Sequence, residues 1–323
     1  MAIIHGLLGS SAGQGGFTPM TATGGDSISS YTYSGVDYKV HKFEGSGTFT
    51  ISANPMLTTF DVLVQGPGGN GGNGISAVVG EYVFEGGGGA GLRGTKTGLA
   101  GSVTTYTVVV GAGGSTYSSF THGSDTYKAG RGGNGGYSGN NGQSSYGGYG
   151  GGNGGYYHYT VGNQSGGVGT GIAHSTTPAF TSQSISSTGI NCNGGAKYGD
   201  ASSGNGMAGG GGGGNSAGGA GGSGDAGDGA AGIQHLEFGH THYITAGGGG
   251  GCMTTNPSTG AGGSGVGGDG AAGNAYNTTA CHADANSGSG GGGCSYAENT
   301  LSNGAGTGQG GSGIVMVRYA VSA

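Results

Sequence analysis

The chain has 323 residues, of which 93 are glycine; only 7% are charged, 32% are apolar and tryptophan is absent. Eight lysines and arginines within a net charge of −6 cannot form a phosphate-binding stripe, which argues against a nucleic-acid partner. No run of about 18 bulky apolar residues is present to insert into a bilayer. Ordering a backbone residue costs about 1–2 kcal/mol, glycine loses the most freedom, and glycine has no side chain to bury in return. A fold made from this composition must rest on main-chain hydrogen bonds and on backbone packed against backbone.

The N-terminal stretch MAIIHGLLGSSAGQ has a short apolar run without a basic region before it, so a secretory signal is not expected. Residues 1–30 read as an attachment segment. From residue 31 the sequence becomes ordinary β material: YTYSGVDYKVHKFEGSGTFTIS alternates, and FDVLV (60–64) is a buried-strand run. Further strands are expected at EYVFE (81–85), TYTVVVG (105–111), HLEFGHTHYITA (235–246) and the C-terminal GIVMVRYAVS (313–322). Nothing carries a 3.6-residue apolar period, so essentially no α-helix is expected.

Glycine tracts separate these strands. In AGRGGNGGYSGNNGQ (129–143), Gly130, Gly133, Gly136, Gly139 and Gly142 recur at every third position. That period suits a left-handed threefold helix, polyglycine II, rising about 3.1 Å per residue without internal hydrogen bonds. Its N–H and C=O groups point sideways and need neighbours, so such helices stand only in bundles. Residues 130–142 would form one strut roughly 40 Å long. Scarce proline and frequent breaks of register exclude collagen. Three tracts follow one plan, starting about 40 residues apart: 208–232, 246–273 and 289–313. Each is a glycine run, then a polar insert (NSA, CMTTNPST, CSYAENTLSN), then a second glycine segment. A rod goes out, the insert turns it, and a rod returns.

Candidate chemistry is sparse. No Ser/His/Asp set or carboxylate pair can be assembled, and G-x-G-x-x-G is uninformative in such a chain, so a non-enzymatic protein without cofactors is expected. Cys192, Cys252, Cys281 and Cys294 lack C-x-x-C spacing, which argues against zinc. Disulfides and reduced thiols both remain open. GGSGDAGDG (221–229) lacks the apolar residue of a calcium repeat, so Asp225 and Asp228 read as solvating a rod face. In GHTHY (239–243), His240 and His242 share one strand face. Three copies about a threefold axis could hold a metal, whereas the simpler reading is two exposed histidines and no metal. Tyr146, Tyr149, Tyr156, Tyr157 and Tyr159 cluster in 144–160. They read as a ligand-facing patch, as a condensate-forming segment, or as a cover for the bundle. The inserts carry Thr254, Thr255, Asn256, Tyr296 and Asn299, side chains suited to hydrogen bonding with a partner.

KFEGSGTFTI (42–51), FDVLVQGPGGNGGNG (60–74), YTVVVGAGGS (106–115) and GGSGIVMVRY (310–319) resemble the glycine-rich domain of bacteriophage tail-fibre and other virion proteins. The chain departs from that pattern at Gln65-Gly66-Pro67, where an unbroken glycine run is usual. The resemblance implies an all-β fold: a β-sandwich, by analogy tumour-necrosis-factor-like, over 31–128, an inserted polyglycine-II bundle over 129–312, and a strand over 313–323 returning to the sandwich. It further implies a non-enzymatic virion protein, made in the host cytoplasm and released by lysis. Other virion proteins and a host-surface glycan or protein are its expected partners, and by analogy it would form a homotrimer. The alternative is a capsid or neck decoration, or a structural fibre, without a receptor.

Overall fold

The computed structural model describes residues 17–72, 82–136, 155–158, 162–165, 180, 182–183, 195, 207–214, 216–252, 258–271, 281–293, 295–296 and 308–322. The chain is all-β, with strands joined in antiparallel sheets and, among the described residues, helical turns only of the 3-10 type.

Two sheets face each other. One contains β1 (Thr21–Thr23), β4 (Gly47–Ala53), β8 (Thr105–Val109), β9 (Tyr117–His122) and β10 (Asp125–Gly130), adjacent in that order. The other is ordered β13 (Ser182–Gln183), β7 (Arg93–Ala100), β5 (Thr59–Gln65), β17 (Ile314–Ala320), β3 (Val36–Phe43) and β2 (Ser27–Tyr33). Alternate residues of these strands point inward, as the period of two requires. Phe43, Phe60, Val62, Val64, Val315, Val317 and Tyr319 from the second sheet meet Phe49, Ile51, Tyr106, Val108 and Phe120 from the first. The rings of Phe49, Phe60, Tyr106 and Phe120 form one aromatic cluster with centroids 5.4–6.1 Å apart. The C-terminal strand occupies the middle of its sheet: Val315 pairs with Phe43 on one side and Val64 on the other. The first and last β segments thus close one sandwich, as the resemblance implies.

The outer face of that sheet is also covered. Residues 235–246, expected as one strand, form β14 (Ile233–His235), a 3-10 turn at Leu236–Phe238 and β15 (His240–Ile244). Gly239 reverses the chain at φ 65°, a left-handed conformation open to glycine. The break turns Phe238 and Ile244 onto Val40, Leu63, Ile314 and Met316, forming a second apolar core. EYVFE also departs from expectation. Its strand β6 (Tyr82–Phe84) lies outside the sandwich, in a separate sheet ordered β12 (Gly162–Ser165), β11 (Gly155–His158), β6 and β16 (Ser295–Tyr296).

The described glycine tracts are threefold rods, and their hydrogen bonds show it directly; of the expected strut 130–142, residues 137–142 lie outside the described residues. In the rod 86–92, the amides of Gly86, Gly89 and Leu92 donate to Gly136, Gly133 and Gly130 at 2.8–3.0 Å. Those of Gly87 and Ala90 donate to Gly209 and Gly212, and those of Gly88 and Gly91 to Gly291 and Gly288. Each third residue therefore serves the same neighbour, as three residues per turn demand. Carbonyls of this rod accept from 66–72 (Gly69 to Gly89, 2.8 Å) and from 245–252 (Gly248 to Gly88, 2.9 Å). Among the described residues five rods surround it, some parallel and some antiparallel. A Cβ added at Gly290 would sit on the carbonyl oxygen of Gly88, so no side chain fits where these backbones meet.

Two details of the rods differ from expectation. In the first repeat the second glycine segment is itself folded: 218–222 runs antiparallel to 207–214, and Gly222 then bonds Asp225 to start 225–232. The second repeat folds again through Gly263–Gly265, where Ser264 takes φ 50°. Asp225 and Asp228 do more than face solvent. Asp228 accepts the Ala261 amide at 2.8 Å, Asp225 accepts the Ser258 hydroxyl, and Asp269 likewise accepts the Gly262 amide at 2.7 Å. These carboxylates partner amides and a hydroxyl that the rod ladder leaves over.

Candidate functional site at the distal end of the rods

The rods have a common polarity of ends. Rods 66–72 and 131–136 leave the sandwich directly after β5 and β10, and 86–92 and 308–313 enter it directly before β7 and β17. Their other ends are level with one another: Gly72 bonds Gly86, Gly86 bonds Gly136, Gly251 bonds Glu85, and Ala271 bonds Gly293. We call this end distal. At the proximal end 213–216 is closed by reciprocal Gly213–Ser216 bonds, 263–266 by Val266 to Gly263, and the longer return 233–244 is the covering hairpin; at the distal end Gly222 to Asp225 closes one short return. At the distal end the chain departs after residues 72, 136, 252, 271 and 293 into its longer excursions.

The sequence-predicted ligand residues belong to those excursions. Tyr146, Tyr149, Tyr159, Thr254, Thr255, Asn256 and Asn299 lie outside the described residues. Tyr156, Tyr157 and Tyr296 lie in strands of the distal sheet. There β6 is flanked by β11 and β16, and both Tyr156 and Tyr296 pair with Val83. Two tyrosines 140 positions apart are thus register partners of one β6 residue across three adjacent strands. Tyr157 pairs with Tyr82 on the next row. No feature of the sequence signals this pairing, because β6 and β16 are too short to show a period.

The H-x-H pair sits elsewhere, at the proximal end beside β3. His242 is exposed as expected, with its ring centroid 5.8 Å from that of His240. His240 departs from expectation: it is half-buried, and its Nε2 is enclosed without a hydrogen-bond partner among the described residues. Burial, helped by the charges of His242 and Lys42, pushes its pKa down to about 4, so the ring is neutral at pH 7. Among the described residues no three His, Cys, Asp or Glu side chains are grouped to hold a metal ion. Cys252 and Cys281 are buried at distal rod ends, while Cys192 and Cys294 lie outside the described residues.

The residues that carry the resemblance act as joints. Arg318, of the C-terminal GIVMVRY, holds Asp61 through both Nε and Nη2 at 2.9 and 2.8 Å. Its guanidinium lies 4.6 Å from the Tyr38 ring centroid and 4.8 Å from that of Phe238. It also donates to the Glu237 carbonyl, so one side chain ties the central strand to the covering hairpin. Gln65, at the departure from the usual glycine run, is fully buried and donates from Nε2 to the carbonyls of Gly66 (2.9 Å) and Gly91 (3.1 Å). It bonds the first rod to the second where both meet the sandwich.

The match to known families agrees with this anatomy: residues 43–320 fit the family described as Glycine-rich domain, from the end of β3 to the end of β17. The chain belongs to that family. The matched span takes in the sandwich strands from β4 onward and every described rod, so strands and rods are parts of one family unit. No curated protein matches the chain. Among the described residues, no helix is long and apolar enough to cross a membrane.

Proposed function

We propose that the chain is a non-enzymatic component of a bacteriophage virion, part of a tail fibre or tail tip, whose distal end contacts the host surface. The observation that supports this most is the one-sided layout: the sandwich closes one pole, and the long excursions leave the rods at the other. Binding residues are commonly carried by loops on a rigid scaffold, and laterally bonded rods supply that rigidity without a side-chain core. Tyr156 and Tyr296, both register partners of Val83 in the distal sheet, would offer aromatic contact area at low entropic cost. The virion setting comes from the resemblance of residues 42–51, 60–74, 106–115 and 310–319 to glycine-rich virion proteins. Its partners would be other virion proteins and a host-surface glycan or protein.

The test combines position and exchange. Antibody labelling of intact particles is expected on the tail, and exchange of 253–257 or 294–307 between related phages is expected to move host range. Label on the capsid or neck, with host range unmoved by either exchange, would overturn the reading in favour of a decoration protein.

A further inference from the structure

Sandwich, hairpin and rod bundle meet at a pocket of about 230 Å³, formed where Lys42 and Glu44 at the end of β3 face His240 and His242 of β15 and the return at 284–287. Val266 and the buried Ile314 give it an apolar wall, and the half-exposed Tyr243 stands among its lining residues. The volume is below the roughly 300–1,000 Å³ of sites for drug-sized ligands, so it suits a single small ring.

The polar groups define what could enter. Lys42 and Glu44 neutralise each other across 2.7 Å, which leaves no free cation for an anionic ligand. Among the described residues, the Asp284 carboxylate makes no hydrogen bond, although its backbone amide and carbonyl are used by Val266 and Ser287. Asn286 spends its side-chain oxygen on the Ser312 hydroxyl, leaving its amide hydrogens as donors. His240 Nε2 is enclosed without a partner among the described residues, so a ligand in the pocket meets the accessible part of that ring and not Nε2. Acceptors and donors therefore alternate around a space with an apolar wall, whose one uncompensated charge is the exposed Asp284 carboxylate.

We propose that this pocket binds a neutral, polyhydroxylated ring of monosaccharide size, with adjacent hydroxyls donating to the Asp284 carboxylate and others engaging the His240 ring and the Asn286 amide. The site is separate from the distal end: loop exchanges that abolish host contact leave it standing, and an empty pocket leaves the distal reading standing.

Saturation-transfer NMR on the full chain with glucose, galactose and N-acetylglucosamine tests it. Transfer to the ring protons of at least one sugar is expected. Asp284→Asn should weaken that binding about tenfold, the loss of one hydrogen bond to a charged group, and His242→Ala should reduce it less. Neither side chain bonds elsewhere among the described residues, so both variants should unfold at the parent temperature. The proposal falls if no sugar shows transfer, if Asp284→Asn binds as tightly as the parent, or if inorganic sulfate displaces the sugar.

Discussion

Arg93 Nη1 lies 2.8 Å from Nε2 of His235, and Nδ1 of the same ring lies 2.6 Å from Glu237 Oε1. A guanidinium can only donate, so Nε2 accepts and Nδ1–H donates to the carboxylate. The contact requires a neutral imidazole, and it binds the covering hairpin to the first residue of β7.

That requirement sets a pH dependence. Burial lowers the pKa of His235 and of His41, and lowers that of His240 to about 4, against 6.5 in an unfolded chain. Below pH 6.5 the unfolded chain binds protons that the folded chain refuses, so these groups stabilise fully above 6.5 and the benefit fades as pH falls towards 4. The carboxylates Asp26 and Glu237, whose pKa values are also lowered, add losses only at lower pH. Melting temperature should therefore fall between pH 6.5 and 4, and His240→Gln should shallow that slope. A flat profile over this range would show that the three rings protonate without strain.

Arg318→Ala should destabilise by about 2–3 kcal/mol in urea unfolding, because it leaves the Asp61 carboxylate without its two-point partner in a largely buried setting. Arg318→Lys should recover less than half, since a lysine cannot form both bonds and lie flat between the rings of Tyr38 and Phe238. Full recovery with lysine would mean that charge alone matters there.

Two glycine substitutions separate packing from chain entropy. Gly290→Ala should cost about 3 kcal/mol, since the new methyl meets the Gly88 carbonyl with backbone on every side. Gly45→Ala has open space around its Cβ and a backbone outside the left-handed region, and should be neutral or stabilising by about 0.4–1 kcal/mol. Equal effects at the two sites, in calorimetry, would contradict close rod packing.

Hydrogen exchange reads the rods directly. Amides of 87–91 are spent on three neighbouring rods, so their exchange should be as slow as that of Met316 and Val317 in the centre of the sandwich. Exchange at the rate of an open loop would dismantle the bundle as a mechanical unit.

Strands that bury their own side chains were legible in the sequence. FDVLV and GIVMVRYAVS fall in β5 and β17, and the threefold glycine period appears as lateral hydrogen bonds. β7 escaped because RGTKTGLA places only Leu99 in the core as a large apolar side chain, and Gly94 packs against the Phe180 ring with no side chain to mark it. The break at Gly239 escaped because Phe238 is drawn down by Val40 and Leu63, residues nearly 200 positions away. Sequence separation also hid the surroundings of the H-x-H pair: Lys42 and Glu44 lie about 200 positions before it and Asp284 about 40 after it, and no local spacing announces their meeting.

The short returns beside the sandwich and the long departures at the far pole divide the chain's freedom to vary. Among the described residues, the rods that run outward hold their neighbours through amide bonds up to residues 72, 136, 252 and 293. Beyond those points, only the short pairings of β11 and β16 with β6 and the bond of Gly195 to Gly210 tie the described chain back to the lattice. Such a scaffold lets one surface diversify quickly while the architecture that carries it stays still.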